Sequence, residues 1–553
     1  MRSGLNSIRL AASALCFLLA ACSGSGSSGP GPAPPPPTPP PPPPPSPSGS
    51  VTISGAITYD FVPLNPSTNG LNYAATTQRP ARNVVVEAAN SSGTVLTSGL
   101  TDAAGAYSLS VPAGTVLRIQ ARSRMQGPSG LFDFTVRDNT SGNAVYLLTG
   151  GLLDSGGANS TRNLNAPSGW GGASYTGTRA AAPFALLDTI LTSIEAVNAV
   201  APGTSFETAQ VFWSVNNRSA SGSVANGEIG STSFTRISGV PTILVLGNAN
   251  NDTDEYDQHV IAHEFGHYVE DTQSRNDSIG GPHSLSQRLD PRLAFSEGWS
   301  NAFSGIVLGD PVYRDSSGAG QSTGFRFSVE SNTFSASGWY GEGSVHSIVY
   351  DVFDSADDGA DTISAGFGPV FRARLNPAIM RDGTAPTTIF SYIEALKAEA
   401  GVSAAAVDAL RLAQSINGTG VDGAGETNDG GIPTSLPVLR TLTIGAPAIV
   451  ICSVDDAGTE NKLGNRTLMR MPVGAPASVS LAMTRISGAT GRDPDFIVSL
   501  RGVDVARALS TVTDAETRTA SLAAGDHVVE GYDDRNINDA GPSGDACYNF
   551  SAN

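Results

Sequence analysis

Two short runs in this chain have the residue types and spacing for metal-assisted hydrolysis. They are His263-Glu264-Phe265-Gly266-His267 and, thirty residues on, Glu297-Gly298-Trp299-Ser300-Asn301. A helix brings residues four apart onto one face, so His263 and His267 can present two imidazole nitrogens to a single tetrahedral Zn²⁺. Glu264 lies about 100° round that helix from His263, where it misses a metal but reaches a water beside it, the place of a general base. The flanks support the helix: Ile261, Phe265, Tyr268 and Val269 form an apolar stripe on the side away from the histidines. Five of the six histidines fall between His259 and His346, which concentrates the candidate chemistry in one stretch.

The elements that must position these groups are two helices. The segment Pro291 to Leu308 carries Leu293, Phe295, Trp299, Phe303 and Ile306 and reads as a second, largely buried helix. A lone carboxylate in such a helix is costly to bury unless it is paired or bound to metal, so Glu297 needs a cation. The two motifs together resemble the gluzincin metallopeptidases, the thermolysin-like group, and Glu-Gly-Trp-Ser is most similar to the fungalysin branch. The resemblance implies Zn²⁺ on His263, His267 and Glu297, with a water of pKa about 7 in the fourth position. Glu264 then takes the proton as that water attacks a peptide carbonyl, and passes it to the leaving amine.

In that family the residue four after the glutamate is usually an Asp that orients a metal-binding histidine; here it is Asn301. An Asn carbonyl can still accept from a ring Nδ1–H, which preserves orientation and lowers ligand basicity. The family also places a His or Tyr donor for the oxyanion downstream of the glutamate, and His346, Tyr340 and Tyr350 are the candidates by role. His259 precedes His263 by four, but Val260 stands where a base should be, so His259 reads as a supporting cleft residue. Gly320-Gln-Ser-Thr-Gly324 matches the serine-hydrolase pattern, yet it lies in a Gly/Ser loop rather than on a strand-to-helix turn and reads as a loop.

The N-terminus speaks to location. Arg2 and Arg9 precede the apolar run LAASALCFLLAAC, too short to span a bilayer and readable as a secretory signal over residues 1–21. Leu19-Ala-Ala-Cys22 resembles a bacterial lipobox, which implies a lipidated Cys22, stable anchoring by two or more acyl chains, and, with Ser23 following, outer-membrane sorting in the cell envelope. Fourteen of the 36 prolines lie between Pro30 and Pro47. They make residues 22–50 an extended spacer in which the proline run covers about 55 Å. The formal charge of −18 becomes −20 once Arg2 and Arg9 are removed, and the only lysines are Lys397 and Lys462, which excludes nucleic acid as a partner. The acidic loops Asn251 to Asp257 and Asp422 to Asp429 are candidates for Ca²⁺.

The remaining length exceeds one core. Residues 51–125 alternate in short strands and resemble carboxypeptidase-regulatory-like domains; residues 126–164 connect. Residues 165–436 carry the long helical patterns, with Pro241 to Gly247 as the expected cleft-edge strand. Residues 437–553 resemble a pre-peptidase C-terminal β-sandwich, in which Cys452 and Cys547 form an even pair and so an expected disulfide. His527 is expected on its surface. The fold class expected is therefore multidomain, an α+β gluzincin-type core between two β-sandwiches. The function expected is a lipid-anchored zinc metalloendopeptidase acting on proteins or peptides. Two alternatives stand beside it: a zinc exopeptidase, and a surface adhesion or binding lipoprotein that retains the fold without turnover. Oligomeric state is left open.

Overall fold

A computed structural model of the chain describes residues 49–355, 361–455, 460–538 and 544–553. The chain divides into Met1–Ser46 and Pro47–Asn553. The signal segment, Cys22 and nearly all of the proline-rich spacer lie outside the described residues.

Short alternating segments pair as their patterns require. Ser50–Phe61 runs antiparallel to Ala106–Pro112, with Val51 opposite Val111 and Ile53 opposite Leu109, and each buries every second residue. A larger sheet contains β1 (Val84–Asn90), β2 (Val95–Leu100), β3 (Val116–Gln126), β4 (Asp133–Asp138), β5 (Ala209–Trp213), β6 (Ser233–Ile237) and β7 (Val240–Val245) in the order β6-β7-β5-β4-β3-β1-β2. β5 is parallel to both neighbours, and β6 closes one edge antiparallel to β7. This sheet crosses the boundaries expected at residues 125 and 165. β3 pairs with β4 through Met125 and Phe134, and β4 pairs in turn with β5, so the amino-terminal strands and the helical region share one core. The strands are legible from alternation, whereas the pairing that fuses them is a long-range event that local pattern does not encode.

Against this sheet lie α1 (Ala182–Val200), α2 (Gln258–Gln273), α3 (Pro291–Leu308) and α4 (Glu342–Phe353). α1 is long and apolar enough to cross a membrane, but two-thirds of it is buried in the protein, as a core helix would be. The apolar stripe of α2 enters the same core: Phe265 stacks on Tyr268 at 5.1 Å, and Phe134 from β4 meets both, at 5.9 and 5.4 Å.

Residues 439–552 form a separate sandwich of a five-stranded and a four-stranded sheet. It has its own apolar core, across which Phe496 and Phe550 meet edge to face at 5.1 Å. Cys452 and Cys547 stand opposite each other on adjacent strands and are joined by a disulfide. His527, expected at the surface, is buried. Its strand has its other face covered as well, so alternation alone misplaces it.

Candidate metal centre and its cleft

Glycines let the three site helices approach closely. A Cβ at Gly266 would come within 3.0–3.2 Å of Ser300 on α3. One at Gly298 would lie 2.4 Å from the Val345 Cβ and 2.6 Å from the Glu342 carbonyl oxygen on α4. With those contacts free, three acceptor atoms converge. His263 Nε2 and His267 Nε2 are 3.1 Å apart, and Glu297 Oε2 is 3.2 Å from the first and 3.4 Å from the second. A tetrahedral ion with bonds of about 2.0–2.2 Å holds its ligand atoms roughly 3.3–3.6 Å apart, close to this triangle.

The protonation pattern fits a cation as well. His267 Nδ1 faces Glu270 Oε2 at 3.2 Å and the Ser296 and Ser300 hydroxyls at 3.1 Å each. Nδ1 is thus engaged by neighbouring side chains, which leaves Nε2 as the ring nitrogen that faces the centre. Burial opposes charge on Glu297, yet His267 and His283 hold its carboxyl well below the usual range, which keeps a carboxylate in the triangle.

Glu270 was not singled out in the sequence, although it stands three residues after His267 and is fully buried. Arg374, also fully buried, donates to Glu270 Oε1 at 3.0 Å and to the Ser274 hydroxyl at 2.7 Å. The carboxylate that orients His267 is therefore Glu270. This corrects the role expected of Asn301, which lines the cleft while His263 Nδ1 has no hydrogen-bond partner among the described residues. Its place four residues after Glu297 puts Asn301 on the cleft side of α3, whereas His267 Nδ1 is met by Glu270 from within α2 and by Ser296 and Ser300 from α3.

The triangle opens into a cleft of about 1020 Å³. Glu264 lines it beside His263 and Glu297. The cleft edge is formed by residues 230–234, leading into β6; of Pro241 to Gly247 only Leu246 lines the cleft, and residues 241–245 belong to β7, one strand inside the sheet. The opposite wall is the hairpin β8 (Val312–Ser317) and β9 (Thr323–Ser328), where Tyr313 stacks on Phe327 at 4.7 Å. The Gly320 to Gly324 pattern runs from the turn of this hairpin into the first two residues of β9. His259 lies behind that wall, 5.5 Å from the Tyr313 ring, with Nε2 3.1 Å from the Asp310 carbonyl oxygen. It supports the wall and does not line the cleft.

None of the three expected oxyanion donors lines the cleft. Tyr340 donates its hydroxyl to Asn428 Oδ1 at 2.9 Å. His346 is fully buried, stacked on Phe327 at 5.5 Å and edge-on to Phe334 at 6.3 Å. Tyr350 packs on Phe353 at 5.3 Å. The hairpin covers α4 from outside and converts an apparently exposed face into an interior one. The group that does face the triangle is His283, on the loop between α2 and α3, with Nε2 3.2 Å from Glu297 Oε2 and 3.8 Å from Glu342 Oε2.

Burial pushes the His346 ring down to about pH 3. A histidine depressed on folding binds fewer protons when native, so its contribution is fully present above about pH 6.5 and is lost as pH falls toward 3, at most about 1.4 kcal/mol per pH unit. His346→Leu is expected to flatten the fall in melting temperature between pH 6.5 and 4. An unchanged acid limb contradicts this placement.

Beyond Tyr313 the cleft meets Asp252, Asp254 and Asp315, each offering an oxygen within 4.8 Å of the others. One carboxylate oxygen of each has no hydrogen-bond partner among the described residues, and the same is true of the neighbouring, fully buried Asp257. Burial, then mutual repulsion, raises Asp254 and Asp315 well above the carboxylate range. The other acidic loop is self-satisfied: Glu426 accepts from the amides of Asn417, Gly418, Thr427 and Asn428.

Residues 245–415, just under a third of the chain, match the family model of the Mycolysin C-terminal domain. That span contains both motifs and relates the site-bearing segment to metallopeptidases. No curated protein matches the chain. Among solved structures, the pre-peptidase C-terminal domain of a collagenase from Bacillus anthracis is similar at 10% identity, covering 21% of this chain and 94% of that one with a TM-score of 0.16. A periplasmic inhibitor of g-type lysozyme from Aeromonas hydrophila is similar at 12% identity, covering 21% and 97% with a TM-score of 0.14. Likenesses at these scores carry no weight here.

Proposed function

We propose that the chain is a zinc metalloendopeptidase of gluzincin type, with His263, His267 and Glu297 holding the ion. The observation that carries this reading is the convergence of three acceptor atoms, 3.1–3.4 Å apart, in an open cleft that also holds Glu264. When bound, Zn²⁺ supplies a Lewis acid and lowers the pKa of a coordinated water to about 7. Glu264 accepts the proton of the attacking water and returns it to the leaving amine nitrogen. His283 donates from Nε2 to the oxygen that gains charge as the carbonyl carbon becomes tetrahedral. β6 offers its free edge to an extended peptide, and the aromatic wall of β8 and β9 takes its side chains. An open cleft suits cleavage inside a chain rather than at its end.

The test is His283→Ala. Turnover is expected to fall about 100- to 1,000-fold with zinc content unchanged. Undiminished turnover removes His283 from the mechanism, and terminal rather than internal products from a long peptide would favour the exopeptidase.

Anchoring of this enzyme in the outer membrane through lipidated Cys22 belongs to the same proposal. It is checked by the intact mass of the mature N-terminal peptide.

The acidic cluster takes a Ca²⁺ ion, because four carboxylates with unshared oxygens, two of them buried and two partly buried, would repel one another without a cation. Millimolar Ca²⁺ is expected to raise the melting temperature, with about 2.7 kcal/mol gained at a concentration 100-fold above Kd. Asp254→Asn should abolish that response; a melting temperature indifferent to Ca²⁺ rules the site out.

A further inference from the structure

The loop that carries His283 is fixed from outside the helical region. Gly280 and Gly281 have φ of +64° and +95°, a backbone that glycine adopts without strain, and they turn the chain toward the carboxy-terminal sandwich. There Asn461 donates from Nδ2 to the Gly280 carbonyl at 2.8 Å and to the Pro282 carbonyl at 3.1 Å. The Lys462 ammonium donates to the same Pro282 carbonyl at 2.9 Å and to Asn461 Oδ1. Both side chains are buried, and Lys462 is one of only two lysines in the chain.

The same strip of backbone grips the start of α3. Asp290 N donates to the Asn461 carbonyl at 2.9 Å and Leu463 N to the Arg288 carbonyl at 3.0 Å. Arg292, in the first turn of α3, donates to Glu530 of the sandwich at 2.6 Å. An ammonium is costly to bury unless its donors are used, and here they close on the loop beside His283. A module appended only for adhesion would have no need to spend a buried lysine and asparagine on one cleft loop.

We propose that the carboxy-terminal sandwich is an integral part of the catalytic cleft, with Asn461 and Lys462 as positioning residues that hold residues 280–283 so that His283 faces Glu297. The proposal rests on the role given to His283 above. Positional errors of about 1 Å in a reacting group cost on the order of 100-fold in rate, so loosening this tether acts on turnover before it acts on binding.

The experiment uses the full chain with Asn461→Ala, Lys462→Met and Lys462→Arg, reading hydrogen exchange of residues 276–287, zinc content, and kcat and KM on a peptide. Asn461→Ala and Lys462→Met are expected to speed exchange in that loop at least about tenfold. They are also expected to lower kcat about 10- to 100-fold, with KM within about threefold and zinc retained. Lys462→Arg, which keeps a charged donor, should restore most of both. Unchanged loop exchange in Asn461→Ala and Lys462→Met overturns the proposal, and so does a fall in kcat that only tracks zinc loss. Because exchange is read without substrate, an inactive wild-type chain would refute the peptidase reading while leaving the tether to be decided on its own.

Discussion

Glu264→Gln is expected to abolish peptide cleavage while the protein keeps its zinc. The amide retains the size of the carboxylate at the mouth of the triangle but cannot accept a proton, so the loss isolates proton transfer from metal binding. General acid–base groups contribute about 100- to 10,000-fold, and Glu264 is assigned both the first and the last proton step, so the upper part of that range is expected. Melting temperature and zinc content should match the parent. Retained cleavage would remove Glu264 from the reaction; loss of zinc together with cleavage would instead place it among the ligands.

The second large effect is expected at Glu270, which touches no substrate. Its carboxylate accepts from His267 Nδ1 and the Ser296 hydroxyl on one side and pairs with the fully buried Arg374 on the other. Glu270→Gln weakens both ends. Outer partners of metal-binding histidines are worth about 10- to 100-fold in metal affinity, so zinc should be lost at correspondingly lower chelator concentration. The Arg374 guanidinium would at the same time be left without its counter-charge. Removing one member of a buried ion pair costs about 3–5 kcal/mol, and excess zinc should restore occupancy without restoring that stability. Asn301→Ala serves as the contrast: it should leave zinc affinity within about threefold. Equal losses of affinity in the two variants would return the orienting role to Asn301.

What the sequence made legible follows from how local each feature is. His263, Glu264 and His267 are one helical turn, and the burial of Glu297 is written in the apolar residues around it, so all four could be read from spacing. Glu270 lies in the same helix, but its partner Arg374 is 104 residues away with no motif to mark it. The missing Asp at position 301 therefore looked like a weakened site when the carboxylate had another source. His346 and Tyr340 share a well-formed amphipathic segment whose outer face is covered by the β8–β9 hairpin and by Asn428, contacts that periodicity cannot foresee. His283 stands alone in a Gly- and Ser-rich loop. Its orientation depends on Asn461 and Lys462, about 180 residues on, and only the folded chain brings those residues together.

The central claim is that three side chains hold a catalytic ion. It is tested most directly by elemental analysis of the purified full chain, run beside cleavage of an unfolded protein substrate with and without a chelator. The account predicts one zinc bound to each chain, cleavage that stops when the chelator removes it, and recovery on adding Zn²⁺ back. A chain that binds no zinc, or that cleaves equally well after the metal is stripped, would contradict it.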